Sequence, residues 1–176
     1  MKGLRLFLLL AAGGSAIALF AFPSTLPAAN GKPTRVLITD EQQSFEVPAG
    51  QVCRFELAAA PVANKETITT YPAGANGDVR QIITGTLKLQ LTNVDTGKSI
   101  VVNVSGPGTV VLHPDGSASE DLRGPALVFF FPTATPAGPA TYLFNGNTTL
   151  SFDPAGNLTL VSTTDNSPLD ICAALS

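Results

Sequence analysis

Thr86-Leu87-Lys88-Leu89-Gln90-Leu91-Thr92-Asn93-Val94-Asp95-Thr96-Gly97-Lys98-Ser99-Ile100-Val101-Val102-Asn103-Val104-Ser105 is the stretch that decides how this chain folds. Leu87, Leu89 and Leu91 alternate with Lys88, Gln90 and Thr92, the period-2 pattern of a half-buried strand. A four-residue loop, Val94 to Gly97, returns the chain so that Leu91 faces Ile100, Leu89 faces Val102 and Leu87 faces Val104. Thr92, Lys88 and Thr86 then face Ser99, Asn103 and Ser105 on the other side. A slip of one residue would mix the two faces, so the pattern selects a single register. Gly97 suits the left-handed residue that ends such a loop.

The rest of the chain has the same grammar, and no long segment carries a 3.6-residue apolar period. Strands are expected at Arg35 to Thr39, Ser44 to Val47, Val52 to Leu57, Glu66 to Tyr71, Val79 to Ile83 and Thr109 to Leu112. Further strands are expected at Ala126 to Phe131, Tyr142 to Phe144, Thr148 to Phe152 and Leu158 to Thr164. His113-Pro114-Asp115-Gly116 and Asp153-Pro154-Ala155-Gly156-Asn157 are turn sequences. Ser117 onward reads as a polar stretch. The solid apolar run Ala126 to Phe131 calls for a strand covered on both faces, or a sheet whose outer face is hidden. Near the end, Ser167-Pro168-Leu169-Asp170 has the order of a capped helix start, which predicts a short helix over 168–175 with Ile171, Cys172 and Leu175 on its buried face.

At the other end, Lys2 and Arg5 precede an apolar run from Leu6 to Phe22, and Pro23-Ser24-Thr25-Leu26-Pro27-Ala28-Ala29 follows. That order is the order of a secretory signal peptide over 1–29, cut after Ala28 or Ala29, with Ala21 as the alternative cut and a retained membrane anchor as the alternative reading. Residues 30–176 are then one all-β domain, long enough to bury a hydrophobic core. Taking Lys2 and Arg5 away from a formal net charge of −3 leaves −5 on that domain. Its basic residues are scattered singly, which argues against nucleic acid as a partner.

Cys53 and Cys172 are the only cysteines. In an exported protein they most simply form one disulfide, with two free thiols as the alternative. A bridge closing a loop of that order is worth roughly 4.7 kcal/mol in chain-entropy terms. It would also bring an early strand beside the C-terminal end. A meander of strands whose ends meet is a closed structure, so the expected fold is an antiparallel meander closed into a barrel with a short C-terminal helix, and a β-sandwich is the runner-up.

Several short motifs match chemistry and fail on context. Asp95-Thr96-Gly97 matches the aspartic-protease triplet but sits at the tip of a paired hairpin. Gly97-Lys98-Ser99 matches the tail of a phosphate-binding loop, yet Thr92 stands where that loop requires glycine. His113, the single histidine, lies two residues from Asp115 and could pair with it as an oriented base, but no nucleophile motif accompanies them. Glu120-Asp121 and Asp153 are carboxylates near turns without the spacing of a calcium loop. Asn103, Asn147 and Asn157 begin glycosylation triplets, which decide nothing in a chain this rich in Ser and Thr.

Taken together, Thr96-Gly97-Lys98-Ser99, Asn103-Val104-Ser105-Gly106-Pro107-Gly108, Phe129-Phe130-Phe131-Pro132, Phe152-Asp153-Pro154 and Asp170-Ile171-Cys172-Ala173-Ala174-Leu175 resemble a group of uncharacterised secreted actinobacterial single-domain β proteins. The resemblance covers most of the domain and rests on turns and strand ends. It implies export and a single domain, and it brings no activity, cofactor or functional residue.

The first functional expectation is a secreted, non-enzymatic β domain acting by binding or surface interaction, with no catalytic, cofactor or metal residues. Its partner is then an unknown protein or a small apolar ligand, and it meets a membrane only through an uncleaved leader. The second is a lipocalin-like carrier whose apolar interior holds a small hydrophobic ligand; Phe129, Phe130 and Phe131 are its candidate lining, with ordinary core packing as the first reading of that run and a partner-binding surface as another. The third is a hydrolase or isomerase using His113 or a carboxylate. A cavity of roughly 300 Å³ or more favours the carrier, a solid core removes it, and convergent polar groups inside a cavity revive the enzyme.

Overall fold

In the computed structural model, which describes residues 31–176, the Thr86–Ser105 stretch pairs in the register its apolar face demands. Leu89 lies opposite Val102 and Leu91 opposite Ile100, with Lys88 opposite Asn103 and Thr92 opposite Ser99. The Val104 amide closes the far end by donating to the Leu87 carbonyl at 2.9 Å. Gly97 takes φ +73° at the tip, and its amide donates to the Asn93 carbonyl. The leader, its cleavage point and the anchor alternative lie outside the described residues.

In chain order the first half comprises β1 (Thr34–Leu37), α1 (Asp40–Gln43), β2 (Phe45–Val47), β3 (Leu57–Asn64), β4 (Thr67–Thr70), β5 (Val79–Thr84), β6 (Leu87–Asn93) and β7 (Ser99–Asn103). The second half adds β8 (Gly108–Leu112), β9 (Ala118–Arg123), β10 (Ala126–Phe130), β11 (Ala140–Phe144), β12 (Asn147–Phe152), β13 (Leu158–Thr163), β14 (Leu169–Asp170) and α2 (Ile171–Leu175). They form a seven-stranded sheet ordered β1-β4-β5-β8-β9-β12-β13, a four-stranded sheet β2-β3-β6-β7 and a three-stranded sheet β10-β11-β14. All of the strand ladders are antiparallel.

The all-β class and the short C-terminal helix are as expected, but no sheet closes on itself and the barrel is replaced by sandwich-like sheets. The reason is in the connections. Hairpins do form between sequence neighbours, as a meander requires, but the chain changes sheet after each one. Thus β4–β5, β8–β9 and β12–β13 lie side by side in the large sheet, while β6–β7 and β10–β11 are sent to the other two. Edges therefore persist: β1 and β13 bound the large sheet and leave Val36, Leu37 and Val161 exposed.

Three clusters make the core. The four-stranded sheet contributes Leu57, Leu89, Leu91 and Val102 to the first, joined by Ile171 and Leu175 of α2. The large sheet contributes Leu150 and Leu158 to the second, and Ile83 and Val110 to the third. The apolar run of β10 divides between two of them. Leu127, Phe129 and the adjacent Phe131 pack into the first cluster, and Val128 and Phe130 into the second. A strand buried on both faces has no polar side to alternate with, which is why Ala126 to Phe131 reads as one solid run.

Two local expectations change. Val52 to Phe55 is not a strand but an irregular plug between β2 and β3, with Val52, Cys53 and Phe55 all buried. Consecutive burial of Val52 and Cys53 breaks the alternation a half-buried strand needs, and the strand itself starts at Leu57. At the C-terminus, Leu169 and Asp170 pair with Leu143 and Tyr142 as β14, so the helix begins at Ile171 and its cap is Asp170 rather than Ser167. The Asp170 carboxylate accepts from the Ala173 amide at 2.9 Å. Asp170→Ala is expected to cost about 1 kcal/mol, and Asp170→Asn a few tenths, measured as the shift in a urea unfolding midpoint.

The expected disulfide is present between Cys53 and Cys172, with Cα atoms 5.5 Å apart. It ties the plug to α2. Among the described residues, no helix is long and apolar enough to cross a membrane.

Candidate functional site

A row of residues crosses the inner face of the large sheet, and two of its members, Gln81 and Glu120, are buried polar residues. The register sets Gln81 beside Val110, Val110 beside Glu120, and Glu120 beside Leu150. Val110 and Leu150 are core residues, and Glu120 between them is only 7% exposed. The stretch read as polar after Ser117 is therefore a strand, β9, whose Ser119, Asp121 and Arg123 face outward while Glu120 faces in. Burial alone pushes the Glu120 carboxyl up to about 7, since nothing compensates for the water it has lost.

A second buried carboxyl comes from a corner. Glu66 ends the connection from β3 to β4, where its amide donates to Asn64 Oδ1 and its carbonyl accepts from the Ile38 amide. These bonds fix the backbone and turn the side chain inward, leaving the residue 5% exposed. Gln43, the last residue of α1, donates from Nε2 to Glu66 Oε2 at 2.8 Å. The α1 turn is in turn held by Thr39, whose Oγ1 accepts from the Gln42 amide while Gln42 Oε1 accepts from the Thr39 amide. Burial again dominates, and the Glu66 carboxyl is pushed up to about 7. Water exclusion outweighs the one favourable bond from Gln43.

Both carboxyls line the same half-enclosed cavity of about 150 Å³, where the three sheets meet. Its wall is otherwise apolar: Leu87 and Leu89 from β6, Leu127 and Phe129 from β10, Leu150 and Phe152 from β12. Gly108 lets the Leu122 side chain pack across it, because a Cβ there would lie 3.1 Å from Leu122 Cδ2. Phe45 closes another part and meets the Phe129 ring edge-to-face at 5.5 Å.

The phenylalanine run divides between its two readings, core packing for Phe130 and Phe131 and cavity lining for Phe129. Phe129 lines the cavity, while Phe130 packs edge-to-face on Tyr142 in the core and Phe131 turns to the disulfide-side cluster. Opposite pointing along a strand separates Phe129 from Phe130, whatever their adjacency in sequence. His113 and Asp115 do not pair through a hydrogen bond. His113 Nδ1 lies 2.9 Å from Asp78 Oδ1, far along the chain. Asp115 instead accepts from the Ser117 hydroxyl and amide, bonds that hold its carboxyl below the usual range. Asp153 is likewise a turn acceptor, bonded by Asn157 and Ala155. Among the described residues, no group of three His, Cys, Asp or Glu could hold a metal ion.

Sequence reasoning missed Gln43 and Glu66 and read Glu120 as a carboxylate near a turn rather than a buried strand residue. Glu120 does leave a signal, because Ala118, Glu120 and Leu122 fall on the face shared with Val110 and Leu150 once β9 is read as a strand. Compared with protein-family models, with curated proteins and with solved structures, the chain matches none.

Proposed function

We propose that the chain is an exported β domain that acts by binding a small molecule in the cavity between its sheets. The observation that carries this reading is a cavity of about 150 Å³ with two carboxyls in its wall. Protein interiors pack to the density of organic crystals, and each buried methylene contributes about 0.8 kcal/mol, so a core with no use for that space gains by filling it. Export draws on the basic-then-apolar order of residues 2–22, on the disulfide and on the resemblance to secreted β proteins.

Volume narrows the ligand. Sites for drug-sized molecules start at about 300 Å³, whereas an apolar cavity near 150 Å³ takes benzene. The ligand is therefore smaller than a lipocalin's, roughly six heavy atoms. The acid–base alternative would draw on the same two glutamates. A glycosidase, however, must also hold its substrate's hydroxyls, and Gln43 is the only other polar side chain in this wall among the described residues.

Benzene added to the protein is expected to shift the methyl resonances of Ile83, Leu89 and Leu150 in a saturable way. An unchanged methyl spectrum at saturating benzene, or shifts confined to exposed residues such as Val36 and Val161, overturns the proposal.

A further inference from the structure

The polar character of the cavity is one-sided. Among the described residues, no lysine, arginine or histidine reaches its wall from α1, β2, the β3–β4 corner, β5, β6, β8, β9, β10, β12 or β13, and the one side-chain donor in the wall, Gln43 Nε2, is already engaged by Glu66. Glu120 is more than nine-tenths buried and has no hydrogen-bond partner among the described residues, so its lone pairs face the space unclaimed. A buried acceptor left in that state is costly, and a ligand that brings a donor removes the cost. Phe45, Phe129 and Phe152 border the same space. Carboxylates and aromatic faces are the two kinds of group that attract an ammonium, whereas an anion would meet only repulsion here.

We propose that the ligand is a small primary amine with an apolar body of about five or six carbons, a size set by the benzene-sized space. Glu120 holds its ammonium, and its hydrocarbon part lies against Leu89, Leu150 and Phe129. This rests on the cavity being a binding site. It adds a charge requirement, which a purely apolar site would not have.

The test is a titration at pH 6, where Glu120 still holds its proton, with four compounds of one shape: cyclopentylamine, cyclopentanol, methylcyclopentane and cyclopentanecarboxylate. Cavity methyl resonances and the Glu120 carboxyl ¹³C resonance are followed together. Cyclopentylamine is expected to bind about tenfold or more tightly than cyclopentanol, as charge-assisted bonds outweigh neutral ones, and the carboxylate is expected not to bind. The amine alone should move the Glu120 carboxyl resonance to its ionised position. Glu120→Gln should weaken amine binding about tenfold, and Glu120→Leu, an apolar residue of similar size for an otherwise apolar wall, serves the same purpose should Glu120→Gln not fold. Equal affinity for amine and alcohol, or binding of the carboxylate, overturns the amine proposal and leaves the cavity reading standing. No shift with any of the four overturns both.

Discussion

Replacing Cys53 and Cys172 together by alanine is expected to lower the stability of the fold by about 4 kcal/mol, which for a domain of this size is roughly 10 °C in Tm. The bridge spans 119 positions, so it removes a long loop's worth of freedom from the unfolded chain. Chain-entropy arithmetic for such a loop gives about 5 kcal/mol. It also has a local task. Helix α2 has five residues, too few to persist alone. It is held by the burial of Ile171 and Leu175, by Asn93 Nδ2 donating to the Leu175 carbonyl at 3.1 Å, and by Lys98 Nζ donating to Ser176 O at 2.6 Å. Without the bridge, amides from Ala173 to Leu175 should exchange with solvent well before those of β6. Unfolding midpoints that coincide for the wild type and the double variant would refute the stabilising role. Unchanged exchange at Ala173 to Leu175 would refute the local one.

How much of this could be read in advance depends on whether a signal was local. The β6–β7 hairpin was legible because its two faces differ in polarity and one short turn sets its register. The double-sided burial of β10 was legible because six apolar residues in succession leave no solvent face. The disulfide followed from the leader and the cysteine count. The barrel did not hold, because a hairpin's own sequence says which strand it pairs with and not which sheet it enters. That choice is made in short connections such as Gly106-Pro107 and Gly124-Pro125, where the Gly106 amide donates to the Pro125 carbonyl and the Arg123 amide to the Pro107 carbonyl. Two connections 18 residues apart fold against each other, and nothing in either one announces the other. Of the site, only Phe129 was anticipated. Glu120 was hidden by its neighbours: Ser119, Asp121 and Arg123 make the stretch look like an exposed turn, although every second residue points inward. Glu66 is placed by a corner whose partners, Ile38 and Asn64, come from separate strand ends.

Raising the pH from 5 to 8.5 is expected to destabilise the protein by about 4 kcal/mol, the opposite of ordinary acid denaturation. In the unfolded chain the Glu66 and Glu120 carboxyls ionise near 4.5; in the fold they keep their protons up to about 7. Between those values the native state binds more protons than the unfolded state, so the free energy of unfolding falls as pH rises. The stabilising contribution is complete below about 4.5 and is lost as pH passes through about 7. Each carboxyl accounts for about 3 kcal/mol at most, and the Gln43 bond to Glu66, which favours the ionised form, reduces the sum. Asp115 and Asp153 act in the other sense, with carboxyls held below 3.8 by their turn bonds, so their contribution is lost only in strong acid and leaves this window untouched. Urea unfolding across the range, compared with the Glu66→Gln/Glu120→Gln double variant, measures the effect. The variant should show a much flatter profile and be the more stable protein at pH 8.5. A wild-type profile as flat as the variant's would show that water reaches the two carboxyls in the fold. An ammonium in the cavity works against the Glu120 part of that penalty by pairing with its ionised carboxylate, so saturating cyclopentylamine should recover part of the stability lost at pH 8.5, whereas methylcyclopentane should leave the slope unchanged.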